Sequence, residues 1–331
     1  MWKRLALASL ALAVASGCSP AAAPASPPAT SGSGGAWQEV PTPSFHTDPK
    51  SEPTPPAAPS CSGLDAQPLD STWNVQFRAV LVHVPAAYDP AAPMPVVLNF
   101  HGYTSDATEE EALSDMNAKA DVAGFIAVYP NGTGTPQSWN AGACCGQAAQ
   151  DQVDDVGFVR ALLDNLESKL CVDEHRIFAT GMSNGGFLSH RLACELSDRI
   201  AAFAPVAGVL GVTDCAPQRP VPIMGFHGTA DPLVPYGGSP QLGFPPVVDT
   251  YAGWAKRDGC TAQTMQTFDN IDAHCATYLG CAQGSEVTLC TVDNGGHSWP
   301  GGLPVPALGY TTPNLSATDA MWTFFQKHPL P

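Results

Sequence analysis

The chain has 331 residues, of which 44% are hydrophobic and 13% are charged, a composition typical of a globular protein with a substantial core. Its 14 basic and 30 acidic residues give a net charge of −16, so its electric field repels phosphate backbones and we expect no nucleic-acid partner. The length suits one large α/β domain or two small ones.

A segment typical of protein export begins the chain. Lys3 and Arg4 precede an apolar run from Leu5 to Ala15, and this run is too short to span a bilayer. Residues 15–17 are small and lie directly before Cys18, as in a bacterial lipobox whose cysteine becomes lipidated. An ordinary secretory signal with an incidental cysteine is the alternative. We therefore expect an exported protein, extracellular or at the cell surface, that contacts a membrane only through a lipidated Cys18.

Residues 19–60 are predicted to tether a folded domain to the export signal at 1–18. Proline, alanine, serine, threonine and glycine dominate this segment. Such a composition buries too little apolar surface to offset the entropy lost on ordering. We place the folded domain at residues 61–331 and expect it to be a monomer.

From residue 61 onwards, short β-branched runs alternate with helical stretches, which indicates an α/β fold with a mostly parallel central sheet and helices on both faces. Strands are predicted at Val75–Val84, Val96–Phe100, Phe125–Tyr129, Arg176–Thr180, Ala201–Ala207, Val221–Phe226, Cys275–Leu279 and Val287–Val292. Helices are predicted at Ala107–Ala120, Asp154–Leu170, Phe187–Leu196, Val247–Arg257 and Ser316–Lys327. Asp154 or Asp155 is expected to cap the second helix, with a role in chemistry as the alternative.

The stretch from Gly181 to Gly185 has the pattern Gly-x-Ser-x-Gly and lies between a predicted strand and a predicted helix. In a nucleophile elbow the serine occupies a sharp turn, and the flanking glycines make room for close packing. The pattern alone is weak in a chain with 31 glycines, but the strand and helix beside it strengthen the interpretation. We predict that Ser183 is a nucleophile.

A serine nucleophile needs a histidine base, and in the α/β-hydrolase arrangement the order along the chain is serine, acid, histidine. His297 lies in a glycine-rich loop directly after the predicted strand Val287–Val292. His274 and His328 also come late enough in the chain, but His274 precedes a predicted strand without turn residues and His328 lies in the C-terminal tail. We predict that His297 is the base.

The acid is expected in a loop at the carboxyl end of a strand, where ligand and catalytic residues of open α/β sheets gather. Asp231 follows the predicted strand Val221–Phe226 in this way. Asp214 lies beside a cysteine in a loop and Asp249 lies near a helix start, so both are weaker alternatives. We predict Asp231 as the acid, with a turn-forming aspartate as the alternative reading.

Hydrolysis through a serine also needs donors for the oxyanion that develops on the substrate. The backbone N–H of Asn184, directly after the nucleophile, is one predicted donor. Gly102 and Tyr103 follow the strand Val96–Phe100 and are predicted to supply the second, with a plain turn glycine as the alternative.

Aromatic residues in the same loops are candidates for a substrate-binding wall. Trp139 and Trp299, with Tyr103, are placed to stack on a phenolic group or a sugar. Packing in the core or in the loops is the alternative for each of them.

Several segments together, in chain order, resemble the polyhydroxybutyrate depolymerase-like esterases, a family that includes feruloyl and acetylxylan esterases. The resemblance covers roughly residues 61–327 and implies an α/β-hydrolase fold, a triad of Ser183, Asp231 and His297, no cofactor, and a secreted carboxylic-ester hydrolase. The segments are Asn99–Gly102, Trp139–Gly142 with Cys144–Gly146, Val153–Phe158, Gly181–Gly186, His227–Asp231 and Gly296–Gly301.

Four readings of the function remain at this stage. The first is an esterase acting on feruloyl or acetyl esters of plant polysaccharide, and an extracellular polyhydroxybutyrate depolymerase is the alternative. A peptidase of the same fold usually carries a gating domain, for which residues 61–331 leave no room. A non-catalytic surface-binding lipoprotein is expected to lack at least one triad residue, whereas all three are present.

The cysteines favour disulfides over metal ligation. The chain has 11, of which 10 remain without Cys18, and it contains neither Cys-x-x-Cys nor His-Glu-x-x-His, so we expect no metal. Two predicted neighbouring strands carry Cys275 and Cys290, and Cys260 and Cys281 bracket the first of them. We predict the pairs 260–281 and 275–290, with 194–215 closing the loop after the elbow helix. The pairing stays open for Cys61, Cys144, Cys145 and Cys171.

Overall fold

The computed structural model describes residue 61 and residues 70–331; the predicted export signal and tether lie outside the described residues. The strands are β1 (Asp70–Val75), β2 (Arg78–His83), β3 (Met94–Phe100), β4 (Ile126–Pro130), β5 (Val172–Met182), β6 (Ala202–Val206), β7 (Ile223–Gly228), β8 (Thr264–Asn270), β9 (Ala273–Tyr278) and β10 (Val287–Val292). The α-helices are α1 (Ala107–Ser114), α2 (Met116–Ala123), α3 (Gly146–Gln150), α4 (Asp155–Lys169), α5 (Asn184–Glu195), α6 (Val247–Arg257) and α7 (Ala317–Phe325).

Within the described residues, the strands form one 10-stranded sheet in the order β1-β2-β4-β3-β5-β6-β7-β10-β9-β8. The strands from β4 to β10 in this order run parallel, and the two strands at each edge are antiparallel to their neighbours. The carboxyl ends of β3, β5, β7 and β10 therefore meet at one edge of the sheet. The predicted α/β fold with a mostly parallel sheet is confirmed.

The core lies in two layers, one on each face of the sheet. Helices α4, α5 and α6 bury their apolar sides on one face, and α1, α2 and α7 bury theirs on the other. Strand β3 contributes to both layers, because Val96 and Leu98 face the first and Val97 faces the second. A central strand of this kind reads as a continuous apolar run, which is why the sequence predicts it well.

One predicted strand is a hairpin in the structure. The sequence predicted a single strand over Val75–Val84, but β1 and β2 pair antiparallel across a turn at Gln76 and Phe77, with φ of 46° and 66°. Tight hairpin turns need positive φ and normally use asparagine, aspartate or glycine. Neither residue is of that kind, so the alternating pattern concealed the turn.

Further differences from the predictions concern the first predicted helix and the last strand of the sheet. The predicted helix Ala107–Ala120 is interrupted at Asp115, which has a φ of 50° and separates α1 from α2. Strand β8 was not predicted, because most of its residues are polar and exposed, as befits the last strand of the sheet. The bounds of α6 and β10 agree with their predictions.

The three predicted disulfides are confirmed: Cys194–Cys215, Cys260–Cys281 and Cys275–Cys290. The pairs that the sequence left open are Cys61–Cys171 and the adjacent Cys144–Cys145. None of the helices in the described part of the chain has the length and apolar character that a membrane crossing requires.

Candidate active site

Ser183 occupies the turn between β5 and α5, as the sequence predicts. Its φ of 55° and ψ of −120° are unusual for a residue with a side chain. The backbone holds this turn from both sides, because the N–H of Ser183 donates to Val206 O at 2.9 Å and the N–H of Phe187 donates to Ser183 O at 2.9 Å. A strained backbone at the carboxyl edge of a parallel sheet is typical of a nucleophile elbow.

The glycines flanking Ser183 lie against the end of β3. A Cβ on Gly181 would lie 2.5 Å from Phe100 O, closer than real Cβ atoms approach. A Cβ on Gly185 would overlap the carbonyl group of Phe100. Both positions therefore exclude any side chain, which is the physical reason for the Gly-x-Ser-x-Gly spacing.

Asp231 and His297 form a buried hydrogen-bonded pair. His297 Nδ1 lies 2.8 Å from Asp231 Oδ2. The other carboxylate oxygen accepts the N–H groups of Leu233 and Val234, each at 2.8 Å, so the carboxylate is fixed in orientation. With Nδ1 engaged by the acid, Nε2 is the ring nitrogen left for proton transfer.

The surroundings of Asp231 favour its ionised form. Burial alone would raise the pKa of Asp231, but His297, His227 and the backbone N–H of Val234 together hold the pKa below its ordinary value. His227 Nε2 lies 3.4 Å from Asp231 Oδ2 and donates to Val234 O at 2.8 Å. Burial lowers the pKa of His227, which disfavours the charged form of this ring.

Two loops, after β7 and after β10, bring the acid and the base together. The N–H of Ala230 donates to Gly295 O at 2.9 Å, and the N–H of Asn294 donates to Thr229 Oγ1 at 2.8 Å. A Cβ on Gly228 would overlap the backbone of Gly295, so the loops touch without side chains between them. The register of β7 and β10 thus sets the distance between Asp231 and His297.

The predicted oxyanion donors lie beside the elbow with their N–H groups uncommitted. A Cβ on Gly102 would lie 3.4 Å from Ser183 Cβ, which places this residue next to the nucleophile. Among the hydrogen bonds of the described residues, none uses the backbone N–H of Gly102, Tyr103 or Asn184 as donor. The described part of the chain therefore provides no acceptor for these three N–H groups.

The structure corrects the prediction that Trp139 and Trp299 line a substrate cleft. Both side chains are fully buried. Their indole N–H groups are used inside the protein, by His101 O at 3.0 Å and by Thr318 Oγ1 at 3.0 Å respectively. Trp139 packs against Phe100 of β3 and Phe158 of α4, and Trp299 bonds to Thr318 of α7, and a local sequence pattern does not show contacts over such distances along the chain. Tyr103, directly after Gly102, is by contrast 39% exposed.

His101 is a residue of the site that the sequence analysis did not assign. It is buried, donates from Nδ1 to Gly102 O at 2.7 Å and accepts the N–H of Gly132 at Nε2 at 2.9 Å. Burial lowers its pKa to about 4, so the ring is neutral at pH 7. Its position directly before Gly102 was the only signal available in the sequence.

The two aspartates at the start of α4 have different roles. Asp154 caps the helix, accepting the N–H of Gly157 at 2.8 Å. Asp155 is buried and forms an ion pair with Arg78. The predicted capping role therefore belongs to Asp154, and Asp155 belongs to a buried network that the sequence did not reveal.

Metal chemistry has no visible site here: across residues 61 and 70–331, no group of three or more His, Cys, Asp or Glu side chains is placed to hold a metal ion. What these residues do offer is an elbow serine, a histidine oriented by a buried carboxylate, and free backbone donors. This arrangement suits acyl transfer through a serine.

Comparisons with known proteins agree with this geometry. A sequence profile of the prolyl oligopeptidase family matches residues 114–217. The putative esterase NocK of Nocardia uniformis is 33% identical, over 75% of this chain and 78% of that protein. Feruloyl esterase B of Piromyces equi is 35% identical over 67% of this chain, which spans only 42% of that longer protein. The acetyl xylan esterase of Aspergillus awamori shares the fold, with a TM-score of 0.53 at 15% identity, over 76% of this chain and 94% of that one.

Proposed function

This chain belongs to the family of α/β-hydrolase serine esterases that includes NocK and the feruloyl esterases, and from that premise we propose that it hydrolyses carboxylic esters through an acyl-enzyme on Ser183. The observation that carries the proposal is the 2.8 Å hydrogen bond between Asp231 and His297, at the sheet edge where the elbow places Ser183.

Each residue has a definite part in the proposed reaction. His297 Nε2 takes the proton of Ser183 as Oγ attacks the ester carbonyl, and Asp231 stabilises the imidazolium that forms. The N–H of Asn184, with that of Gly102 or Tyr103, stabilises the oxyanion. His297 then gives its proton to the leaving alcohol. Water, activated by His297, releases the acid from Ser183.

For the substrate, we propose hydroxycinnamoyl or acetyl esters carried on plant polysaccharide. The names of the relatives support this class, since they include feruloyl esterases and a bifunctional acetylxylan esterase/xylanase. Tyr103 adds support, because its exposed ring follows Gly102 and is placed to stack on a phenolic acyl group or a sugar. With Trp139 and Trp299 buried, Tyr103 is the residue on which this stacking argument depends.

We further propose that the protein is exported and works as a monomer outside the cell. The disulfides of the described residues support this, because such bonds persist in oxidising compartments. Mass spectrometry of the mature amino terminus tests the export signal and the lipidation of Cys18. A mature protein that retains Met1 would contradict both.

Ser183→Ala tests the proposed mechanism. We expect kcat for p-nitrophenyl acetate to fall by at least about 10³-fold with the melting temperature nearly unchanged, because only the nucleophile is lost. Ser168→Ala is the matched control, since Ser168 is an exposed serine on α4. Ester hydrolysis at the wild-type rate by the Ser183 variant would refute the acyl-enzyme.

A substrate profile tests the proposed class. Equal amounts of a protein of residues 61–331 should be assayed on methyl ferulate, acetylated xylan and polyhydroxybutyrate films. We expect hydrolysis of one or both of the first two. Clearing of the polyester films with no turnover of the other two would replace our substrate by a polyester.

A further inference from the structure

One buried side chain connects the two segments that carry the predicted oxyanion donors. Trp139 lies in the loop after β4, and its indole N–H donates to His101 O at 3.0 Å. That carbonyl belongs to the peptide group whose N–H is that of Gly102. A donor on the carbonyl oxygen fixes the plane of the peptide and polarises it, so its N–H becomes a stronger donor.

The backbone of the same residue binds the segment after the nucleophile. The N–H of Trp139 donates to Asn184 Oδ1 at 2.7 Å, and Asn184 Nδ2 donates to Trp139 O at 3.1 Å. Asn184 is fully buried and its side chain is held by this pair of bonds. The backbone N–H of Asn184, at the first position of α5, is thereby fixed relative to Trp139.

Trp139 itself is held firmly. Its ring meets Phe100 edge-on, with centroids 5.4 Å apart. The next N–H in the chain, that of Asn140, donates to the buried carboxylate of Asp155 at 2.6 Å, and Asp155 is paired with Arg78. A residue with this many fixed contacts restricts the positions of the groups bonded to it.

We propose that Trp139 is a positioning residue, which holds the Gly102 peptide and the Asn184 N–H at the spacing that an oxyanion requires. The inference rests on the proposed function, because it assumes that these N–H groups receive the oxyanion. It assigns a role in the reaction to a side chain that touches neither the substrate nor the triad.

Trp139→Phe removes the indole N–H and keeps an aromatic ring in the core. We expect kcat to fall about 10- to 100-fold while KM changes less than about 3-fold, since the donors matter most when charge develops on the substrate. Rates should be expressed per reactive serine, counted by titration with a fluorophosphonate. The amount of folded enzyme then does not affect the result.

Trp254→Phe is the matched control. Trp254 is also fully buried on the same face of the sheet, and its indole N–H donates to His190 Nδ1 at 3.0 Å. His190 supplies no group to the proposed reaction. We expect a comparable loss of thermal stability in this variant, with kcat within about 2-fold of wild type.

Affinity for phenylboronic acid gives a readout that a purely structural role would not change. Its tetrahedral adduct with Ser183 presents an oxygen to the oxyanion donors, whereas the product ferulate does not. In Trp139→Phe the affinity for the boronic acid should fall by the same factor as kcat/KM, with ferulate binding unchanged. Equal affinity for the boronic acid in variant and wild type would overturn the proposal.

Asn184→Ala tests the bonds between Trp139 and the segment after the nucleophile. It also replaces Trp139→Phe as the test if that variant does not fold. The variant keeps the backbone N–H of residue 184 but releases the bonds to Trp139, so we expect about a 10-fold lower kcat. An unchanged kcat in this variant also refutes the inference. The proposed function fails separately, if the wild-type protein hydrolyses no ester at all.

Discussion

The two sides of the site belong to different parts of the fold, a strand-to-helix turn on one side and a pair of loops on the other. On the nucleophile side, backbone packs directly on backbone: Gly181 and Gly185 lie against the carbonyl of Phe100, and no side chain fits between. On the acid and base side, two loops carry Asp231 and His297, and they are joined both by hydrogen bonds and by the backbone contact of Gly228 with Gly295.

This difference predicts how each side responds to change. Close packing has a steep repulsive limit, so a small enlargement on the nucleophile side affects the folding of the elbow itself. Hydrogen-bonded loops have some freedom to shift, so substitutions on the acid and base side should reduce activity partially rather than prevent folding. The charge on Asp231 is the exception, because it takes part in the reaction.

Asp231→Asn should have the largest effect on the acid and base side. We expect kcat to fall about 10⁴-fold, because the amide does not stabilise the imidazolium and favours the wrong tautomer of His297. The volume hardly changes, so the protein should fold and still bind substrate with a similar KM. Steady-state kinetics measure this, and a loss below about 10-fold would show that another carboxylate serves as the acid.

The same variant should alter the dependence of stability on pH. Because the folded protein holds the pKa of Asp231 below its value in the unfolded chain, about 3.9, ionisation of Asp231 stabilises the fold above that pH. This contribution is lost as the pH falls through the folded pKa. Urea unfolding of the variant between pH 2 and 6 should therefore show a shallower loss of stability in acid than the wild type.

Gly228→Ala compares the two sides directly. Its Cβ would overlap the backbone of Gly295, so the loops must separate, and we expect kcat to fall about 10- to 100-fold in a protein that still folds. Gly185→Ala is the counterpart at the elbow, and we expect it to yield little folded protein. Thermal melts and kinetics of both variants test this contrast, and equal behaviour of the two would contradict it.

The sequence predicts the nucleophile side better than the rest because its signal is local. The elbow, its strand and its helix occupy consecutive residues, and the required glycines are fixed by contacts within that unit and with β3. His297 and Asp231 could be assigned because each follows a buried strand, although their distance depends on the pairing of β7 with β10.

Features that depend on distant contacts were missed or misread. Trp139 is covered and bonded by residues 38 and 45 positions away, so nothing near it in the chain indicates burial. The turn at Gln76 and Phe77 adopts positive φ without glycine or asparagine because strands β1 and β2 enforce it. In both cases tertiary packing overrides the local preference, and the pattern of a single sequence does not reveal which distant residues pack together.

The smallest expected effect on activity concerns the disulfide on the strand that precedes the base. Cys275 and Cys290 are directly paired residues of β9 and β10, and the loop that carries His297 follows β10. Replacing both by serine should lower the free energy of unfolding by about 3 kcal/mol, since the bond closes a loop of 15 residues in the unfolded chain. Because hydrogen bonds to the β7 loop also hold the His297 loop, we expect kcat to change less than about 3-fold.

The double serine variant of Cys260 and Cys281 is the control, and urea unfolding with kinetics at 25 °C measures both. A kcat loss above about 10-fold in the first variant alone would mean that the disulfide, and not the contact between the loops, holds His297 in place.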